Sequence, residues 1–342
     1  MSELAVAAFA AQTGAHTPDA PRTARFSAFC DRFDERAYLT RLAARELRFV
    51  ARSAHDFPPL LRAIHDPPPG LFLRGAAAAE LLSRAAVAIV GARACSAYGA
   101  EVARMLGREL AAAGLVVVSG LARGIDGAAH RGALEARGST VAVLGCGVDR
   151  DYPAAHAGLA REICERGLVV SEYAPGVEPA PWRFPARNRI IAGLARATVV
   201  VEARERSGAL ITADLALEEG REVLACPGEI TSALSTGTNG LLRLGATPLT
   251  RVEDVLEAFG LESAAAPTPP AVGPTATEVL ERLADAPAGI DELAAVTGLG
   301  AAELAGALTE LELGGVVAVS DGIYRALPTP HLGDGTVPNP CR

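Results

Sequence analysis

The sequence predicts an α/β protein: one doubly wound parallel sheet, preceded by a small helical segment and followed by a winged-helix domain. Three observations predict it. From Val87 onward, short β-branched runs alternate with helical stretches, the pattern of βαβ units on a sheet covered on both faces. A proline- and alanine-rich stretch at 261–275 then interrupts the chain, and beyond it come helical patterns and a β-ribbon. The 342 residues, 50% hydrophobic and 21% charged, suffice for one large core with one or two small satellites.

Residues 1–80 are weakly patterned and are expected to form a helical N-terminal segment. A helix is predicted from Arg36 to Ser53, and Pro58, Pro59 and Pro67 to Pro69 prevent a long helix after it. In the main domain, 84–260, the predicted strands are Val87–Val90, Leu115–Ser119, Thr140–Leu144, Leu168–Ser171, Thr198–Glu202 and Glu222–Cys226. Helices are predicted over Tyr98–Ala113, Ile125–Ala136 and Gly208–Glu219. The linker at 261–275 carries Pro267, Pro269, Pro270 and Pro274. The winged-helix-like domain, 276–328, is expected as a helix from Glu278, a short helix near Ile290–Val296, a helix over Ala301–Leu313, and a ribbon over Val316–Arg325 turning at Asp321–Gly322. Residues 329–342 form a tail.

All 32 basic residues are Arg, which excludes Schiff-base lysine chemistry and a Walker-type phosphate lysine. Guanidinium forks still bind phosphate and stack on flat rings. A net charge of −8 argues against a protein coated in basic charge, so any nucleic-acid site must be local. The six cysteines form no C-x-x-C pair and do not cluster with His, so no metal site is expected. No cofactor is expected either. With no basic leader before an apolar run and no 18-residue apolar span, the sequence is read as cytoplasmic and without membrane association.

The turn after the first strand of the main domain, Gly91-Ala92-Arg93, offers backbone amides near a helix start, which suits a phosphate cradle. It is not the dinucleotide fingerprint, and the next strand ends in Ser119-Gly120 rather than in an acid for a ribose. A plain tight turn is the alternative. The second turn packs Gly120, Arg123, Gly124 and Gly127 around a strand end, which suggests close approach by a ligand. Asp126 is read as a cap of the following helix, His130 as structural and Cys146 as packing.

The richest segment runs from Trp182 to Leu194. Between Arg183 and Arg206 six Arg face two Glu, a local charge of +4. Aromatics beside Arg suit single-stranded nucleic acid, because the charge tracks phosphates while a ring stacks on an unpaired base. The alternative is a solvated basic face with Trp182 and Phe184 tucked inward. Ser207-Gly208 then opens a helix running past Thr212, another amide-rich terminus for an anion, with an ordinary capped helix start as the alternative. Ligands of open parallel sheets bind outside the carboxyl ends of the strands, so these loops are expected to converge on one rim.

Taken together, Gly91-Ala92-Arg93, Ser119 to Asp126 with Ala129-His130, Gly145-Cys146-Gly147 with Tyr152-Pro153, Phe184 to Arg189, Ser207 to Ala213 and Pro227-Gly228 resemble the DNA-processing protein A family, also called DprA or Smf. The resemblance implies an extended Rossmann-like domain that binds incoming single-stranded DNA as a homodimer during natural transformation. It also implies loading of the RecA recombinase, and attributes no reaction to the family. On matching positions, Arg93, Arg123, Phe184, Arg187, Asn188 and Arg189 would line the DNA site, and from the strand-end loops Gly91, Gly120, Gly124, Ser207, Gly208 and Thr212 are expected to join them. His156 stands where the family commonly has Asn, and the first 50 residues resemble the family's helical domain poorly.

From Ala276 to Pro328 two Arg face nine acids, a charge of −7, and Ala301–Leu313 holds no basic residue. Phosphates would be repelled there, so the winged-helix domain is expected to contact protein. The competing function is a nucleotide-phosphate hydrolase of a related Rossmann-like family, with Glu202 or Glu229 as acid or base. That family's Pro-Gly-Gly-x-Gly-Thr loop is absent, since Pro227-Gly228 continues as Glu229-Ile230.

Overall fold

The computed structural model describes residues 2–13, 23–261, 272–320 and 322–327. The expected tail, most of the linker and Asp321 of the expected turn lie outside the described residues. The chain divides into two compact units, Met1–Glu262 and Ser263–Arg342.

The first unit opens on helices α1 (Glu3–Thr13), α2 (Ala24–Cys30) and α3 (Glu35–Ala43), of which α2 and α3 start on the side-chain caps Thr23 and Asp34. Two antiparallel strands follow, β1 (Leu47–Ala51) and β2 (Gly70–Arg74), with the four-residue helix α4 (Pro59–Arg62) between them. This corrects the sequence reading of one helix from Arg36 to Ser53. The helix stops at Ala43, Glu46 turns the chain at φ 55°, and Phe49 of β1 packs on Phe72 of β2 with ring centroids 4.8 Å apart. Pairing with a distant strand overrides the local helical pattern.

From Ala86 strand and helix alternate: β3 (Ala86–Val90), α5 (Ala97–Ala112), β4 (Val116–Ser119), α6 (Ile125–Glu135), β5 (Thr140–Val143), α7 (Ala157–Arg166) and β6 (Leu168–Ser171). Then come α8 (Arg183–Leu194), β7 (Ala197–Val200), α9 (Gly208–Glu218), β8 (Glu222–Ala225), α10 (Thr236–Arg243), β9 (Thr247–Pro248) and α11 (Val252–Ala258). The strands lie in the order β1-β2-β6-β5-β4-β3-β7-β8-β9. Neighbours from β6 to β9 are parallel, whereas β2 pairs antiparallel with both β1 and β6. The chain moves from β3 outward to β6, then returns through α8 to β7 on the other side of β3. That reversal makes the sheet doubly wound and puts its switch point at the carboxyl ends of β3 and β7.

Successive side chains of a strand point to opposite faces. Ala88, Val90, Val118 and Val200 feed one core, and Val87, Ile89, Val117 and Val199 feed the other, which is why these strands are apolar throughout. Helices α5 and α6 cover the second core and meet backbone to backbone: a Cβ on Gly132 would lie 1.9 Å from the Arg104 carbonyl oxygen. Gly132→Ala is therefore expected to destabilise by about 1–3 kcal/mol through overpacking, although alanine is the better helix former by about 1 kcal/mol. A lowered urea midpoint checks this, and an unchanged one would mean that the two helices part without cost.

The second unit is a winged helix: α12 (Pro274–Asp285), β10 (Ala288–Gly289), α13 (Ile290–Thr297), α14 (Ala301–Leu313), β11 (Val317–Ser320) and β12 (Ile323–Ala326). Its antiparallel sheet has the order β10-β12-β11, and its core gathers Val279, Leu293, Leu304, Leu308 and Leu311. Glu303, Glu310 and Glu312 are the charged residues of α14.

Candidate nucleic-acid interface

A pocket of about 220 Å³ opens at the switch point. Gly91 and Arg93 enter it from the end of β3, Ala122 from the loop after β4, Asp126 from the first turn of α6, and Ser207, Gly208 and Thr212 from the start of α9. Phe184, Arg187, Asn188 and Ile191 reach it from α8, at the 3–4 residue spacing of one helical face. The loop after β3 is tied across the switch point by the Ala92 amide, which donates to the Glu202 carbonyl at 2.7 Å.

The floor is a hydrogen-bonded network around a buried cation. Arg187 donates through Nη1 to the carbonyls of Gly120, at 2.7 Å, and Val143, and through Nε to Asn188 Oδ1 at 3.0 Å. Asn188 in turn donates to the Gly208 carbonyl at 3.1 Å. The guanidinium occupies the space a side chain at position 120 would need, with Nη2 2.2 Å from where a Cβ would stand. Asp126, also buried, accepts from the amides of Gly120 at 3.1 Å and Ala122 at 3.3 Å. This corrects its reading as a helix cap: it lies in the first turn of α6 and holds the 120–122 loop from below. Burial pushes the Asp126 pKa up and the Arg187 pKa down, and in each case the other's charge is the first opposing influence.

Arg189 lies on another face of α8, where both terminal nitrogens meet the Glu172 carboxylate, at 2.9 and 2.7 Å, and Nε meets Asp66 at 3.0 Å. Those two acids raise its pKa against the opposing effect of burial. Thus, of the residues expected at the site, Gly91, Arg93, Phe184, Arg187, Asn188, Ser207, Gly208 and Thr212 line the pocket. Gly120, Arg123, Gly124 and Arg189 do not: Gly120 sits against Arg187, Arg123 is exposed outside the lining, and Gly124 takes φ 75° at the start of α6.

The rim carries aromatic rings with cations on them. The Arg93 guanidinium lies 5.4 Å from the Phe184 ring centre, and Tyr152 stacks on Phe184 at 5.4 Å and 25°. Arg93 is exposed and makes no ion pair among the described residues. Trp182 is not tucked inward; 48% of its surface is exposed. Tyr152 escaped the sequence reading as a site residue, its only signal being the Tyr-Pro pair.

Neither acid considered for hydrolysis lines the pocket. The buried Glu202 carboxylate accepts from the amide of Ser96 at 2.9 Å and from its hydroxyl at 2.5 Å, and Glu229 is exposed. Burial pushes the Cys146 thiol up to about 11, which leaves it a poor nucleophile. His130 is buried with Nδ1 2.7 Å from the Thr140 hydroxyl, and His156 Nδ1 lies 3.0 Å from the Leu121 carbonyl. Among the described residues no group of three or more His, Cys, Asp or Glu could hold a metal, and no helix is long and apolar enough to cross a membrane.

The family described as DNA recombination-mediator protein A matches residues 48–260, and the DprA winged helix domain matches 263–322. A Mycobacterium tuberculosis protein named putative DNA processing protein DprA is 44% identical over 265 residues, 75% of this chain and 68% of its own length. The X-ray structure of DNA processing protein A from Streptococcus pneumoniae is 39% identical with a TM-score of 0.63, covering 75% of this chain and 92% of that one. DNA processing protein A from Helicobacter pylori, whose structure concerns a unique single-stranded DNA binding mode, is 30% identical with a TM-score of 0.57, covering 63% and 95%.

Proposed function

The chain belongs to the DNA recombination-mediator protein A family, and from that premise we propose that it binds single-stranded DNA in the switch-point pocket and across its rim. The observation that carries this reading is Arg93: an exposed cation, without an ion pair among the described residues, laid over a ring that lines the switch-point pocket with it. Arg93 would meet a phosphate, the Gly208 amide would add a donor beside the Ala209 amide that Ser207 caps at 3.3 Å, and Phe184 would offer its face to an unpaired base. Gly91, Arg187, Asn188, Ser207, Gly208 and Thr212 would shape the pocket, while Gly120, Gly124 and Arg189 would hold the elements that form it. Arg123 would extend the cationic rim.

The finer parts of the proposal rest on the family resemblance. The chain would act as a homodimer in the cytoplasm, protect incoming DNA during natural transformation, and hand it to the RecA recombinase without catalysing a reaction. Within it, 84–260 would hold the DNA, and the acidic winged-helix domain at 276–328, a poor match for phosphates, would contact protein.

Anisotropy of a labelled oligo-dT, and of its duplex, across a salt series tests the DNA reading. Tighter, salt-sensitive binding of the single strand is expected, with Arg93→Ala weakening it about tenfold, as loss of one charge-assisted contact does, and leaving the urea midpoint unchanged. Arg93 is the informative position because Arg187 and Arg189 are built into the fold, so their loss would confound binding with stability. Equal affinity for duplex and single strand, or an Arg93→Ala variant that binds like the parent, overturns the reading.

A further inference from the structure

We propose that Trp182 is a second base-stacking platform, set apart from the Arg93–Phe184 platform by the first turn of α8, so that one strand is gripped at two separate unpaired bases. The inference rests on the single-strand reading above and adds a contact outside the pocket.

Trp182 is the only tryptophan among 342 residues and leaves 48% of its surface to solvent. Lone exposed apolar residues are ordinary on a protein surface, but this ring is held in place. The Arg183 guanidinium lies 4.9 Å from the Trp182 ring centre and 5.2 Å from that of Tyr173. Tyr173 meets Trp182 edge-on, at 6.3 Å and 87°, and its own amide is anchored to the Ser171 hydroxyl at 3.0 Å. A ring fixed this way has little rotamer freedom left to lose when a base stacks on it.

The charge beside the ring is also available. Arg183 donates to the Glu178 carbonyl and makes no ion pair among the described residues, because the Glu178 carboxylate is engaged 2.5 Å away by Arg150. A cation against an exposed ring offers the two contacts a nucleotide of a single strand presents, a phosphate and an unstacked base, and it does so without regard to sequence.

Helix geometry sets the relation between the two platforms. Phe184, Arg187, Asn188 and Ile191 share the pocket face of α8. Trp182, two positions before Phe184 and in helical conformation at φ −70° and ψ −22°, is turned by roughly 200° from it at about 100° per residue. A strand that stacks on both rings must therefore cross the beginning of the helix. Duplex bases, already stacked and paired, reach neither ring, so the second platform sharpens the preference for single strands.

Because Trp182 is the sole tryptophan, its emission reports this contact directly. The full chain is titrated with oligo-dT, following Trp182 emission and the anisotropy of a labelled strand, and with a strand of the same length carrying abasic sugars. Oligo-dT is expected to quench the emission along the anisotropy isotherm, and the abasic strand to bind without quenching. Trp182→Ala is expected to weaken oligo-dT binding about tenfold, in keeping with loss of one stacked base, at an unchanged urea midpoint, and Trp182→Phe to restore most of it. Binding without any change in emission, or a Trp182→Ala variant that binds like the parent, overturns the inference while leaving the pocket reading intact. No binding in either channel removes the single-strand reading and this inference with it.

Discussion

Replacing Arg187 by Met is expected to lower the stability of the protein by about 3–5 kcal/mol, the cost of leaving a buried charge uncompensated. Arg187 is 4% exposed and its guanidinium spans the carbonyls of Gly120 and Val143 at the ends of two neighbouring strands. Removing it orphans both carbonyls and takes from the buried carboxylate of Asp126 the stronger of its two cationic influences, leaving two backbone amides and the weaker influence of Arg93. The carboxyl group would then be driven further toward its neutral form. Asp126→Asn in the same chain is expected to recover part of the loss, because the neutral amide no longer needs the cation. Urea midpoints of the parent, the two single variants and the double variant test this. Strictly additive losses would mean that the two groups are not coupled.

Acid is expected to destabilise the protein through His130, by about 2 kcal/mol between pH 6.5 and pH 5 at 1.36 kcal/mol per pH unit. Burial holds this imidazole neutral in the folded state, with its pKa pushed from 6.5 down to about 3, and the charges of His156, Arg187 and Arg131 act in the same direction. Below pH 6.5 the unfolded chain takes up a proton that the folded chain refuses. Stability is therefore whole above pH 6.5 and is lost progressively as the pH falls toward 3. Asp126 works in the opposite sense, since a raised carboxyl pKa lets the folded chain hold its proton to higher pH. A His130→Gln variant, which lacks the titration, is expected to lose less stability over the same interval. Urea unfolding of both chains at pH 7, 6 and 5 decides it: parallel losses would place the acid sensitivity elsewhere.

The central strands were legible in the sequence because they are buried on both faces. A run such as Ala86–Val90 has no polar face to disguise it, and Gly91 and Gly120 mark where two such runs end. β1 was misread for the converse reason. Arg48 and Glu46 look like the polar side of a helix, and what makes Leu47–Ala51 a strand is a partner 23 residues away across five prolines. Within the site, residue types at strand ends pointed to the loops that gather at the pocket. Burial of charge was the illegible part. Arg187 and Arg189 look alike in the sequence as basic members of one segment, yet the partners that bury them, Asp126, Glu172 and Asp66, come from three other parts of the chain. Arg93 and Arg183, whose neighbours are rings, keep their charge available, and only the folded arrangement separates the two kinds.

The last strand of the large sheet, Thr247–Pro248, bears on how the molecule behaves when crowded. The Leu249 amide donates inward to the Ala225 carbonyl at 2.9 Å, so by the alternation of the ladder the outward-facing position is that of Pro248, which has no amide to donate. A foreign strand laid along this border would find a template two residues long and short of a donor. Open sheets are prone to polymerise through such borders, and at this one a single imino acid disfavours it.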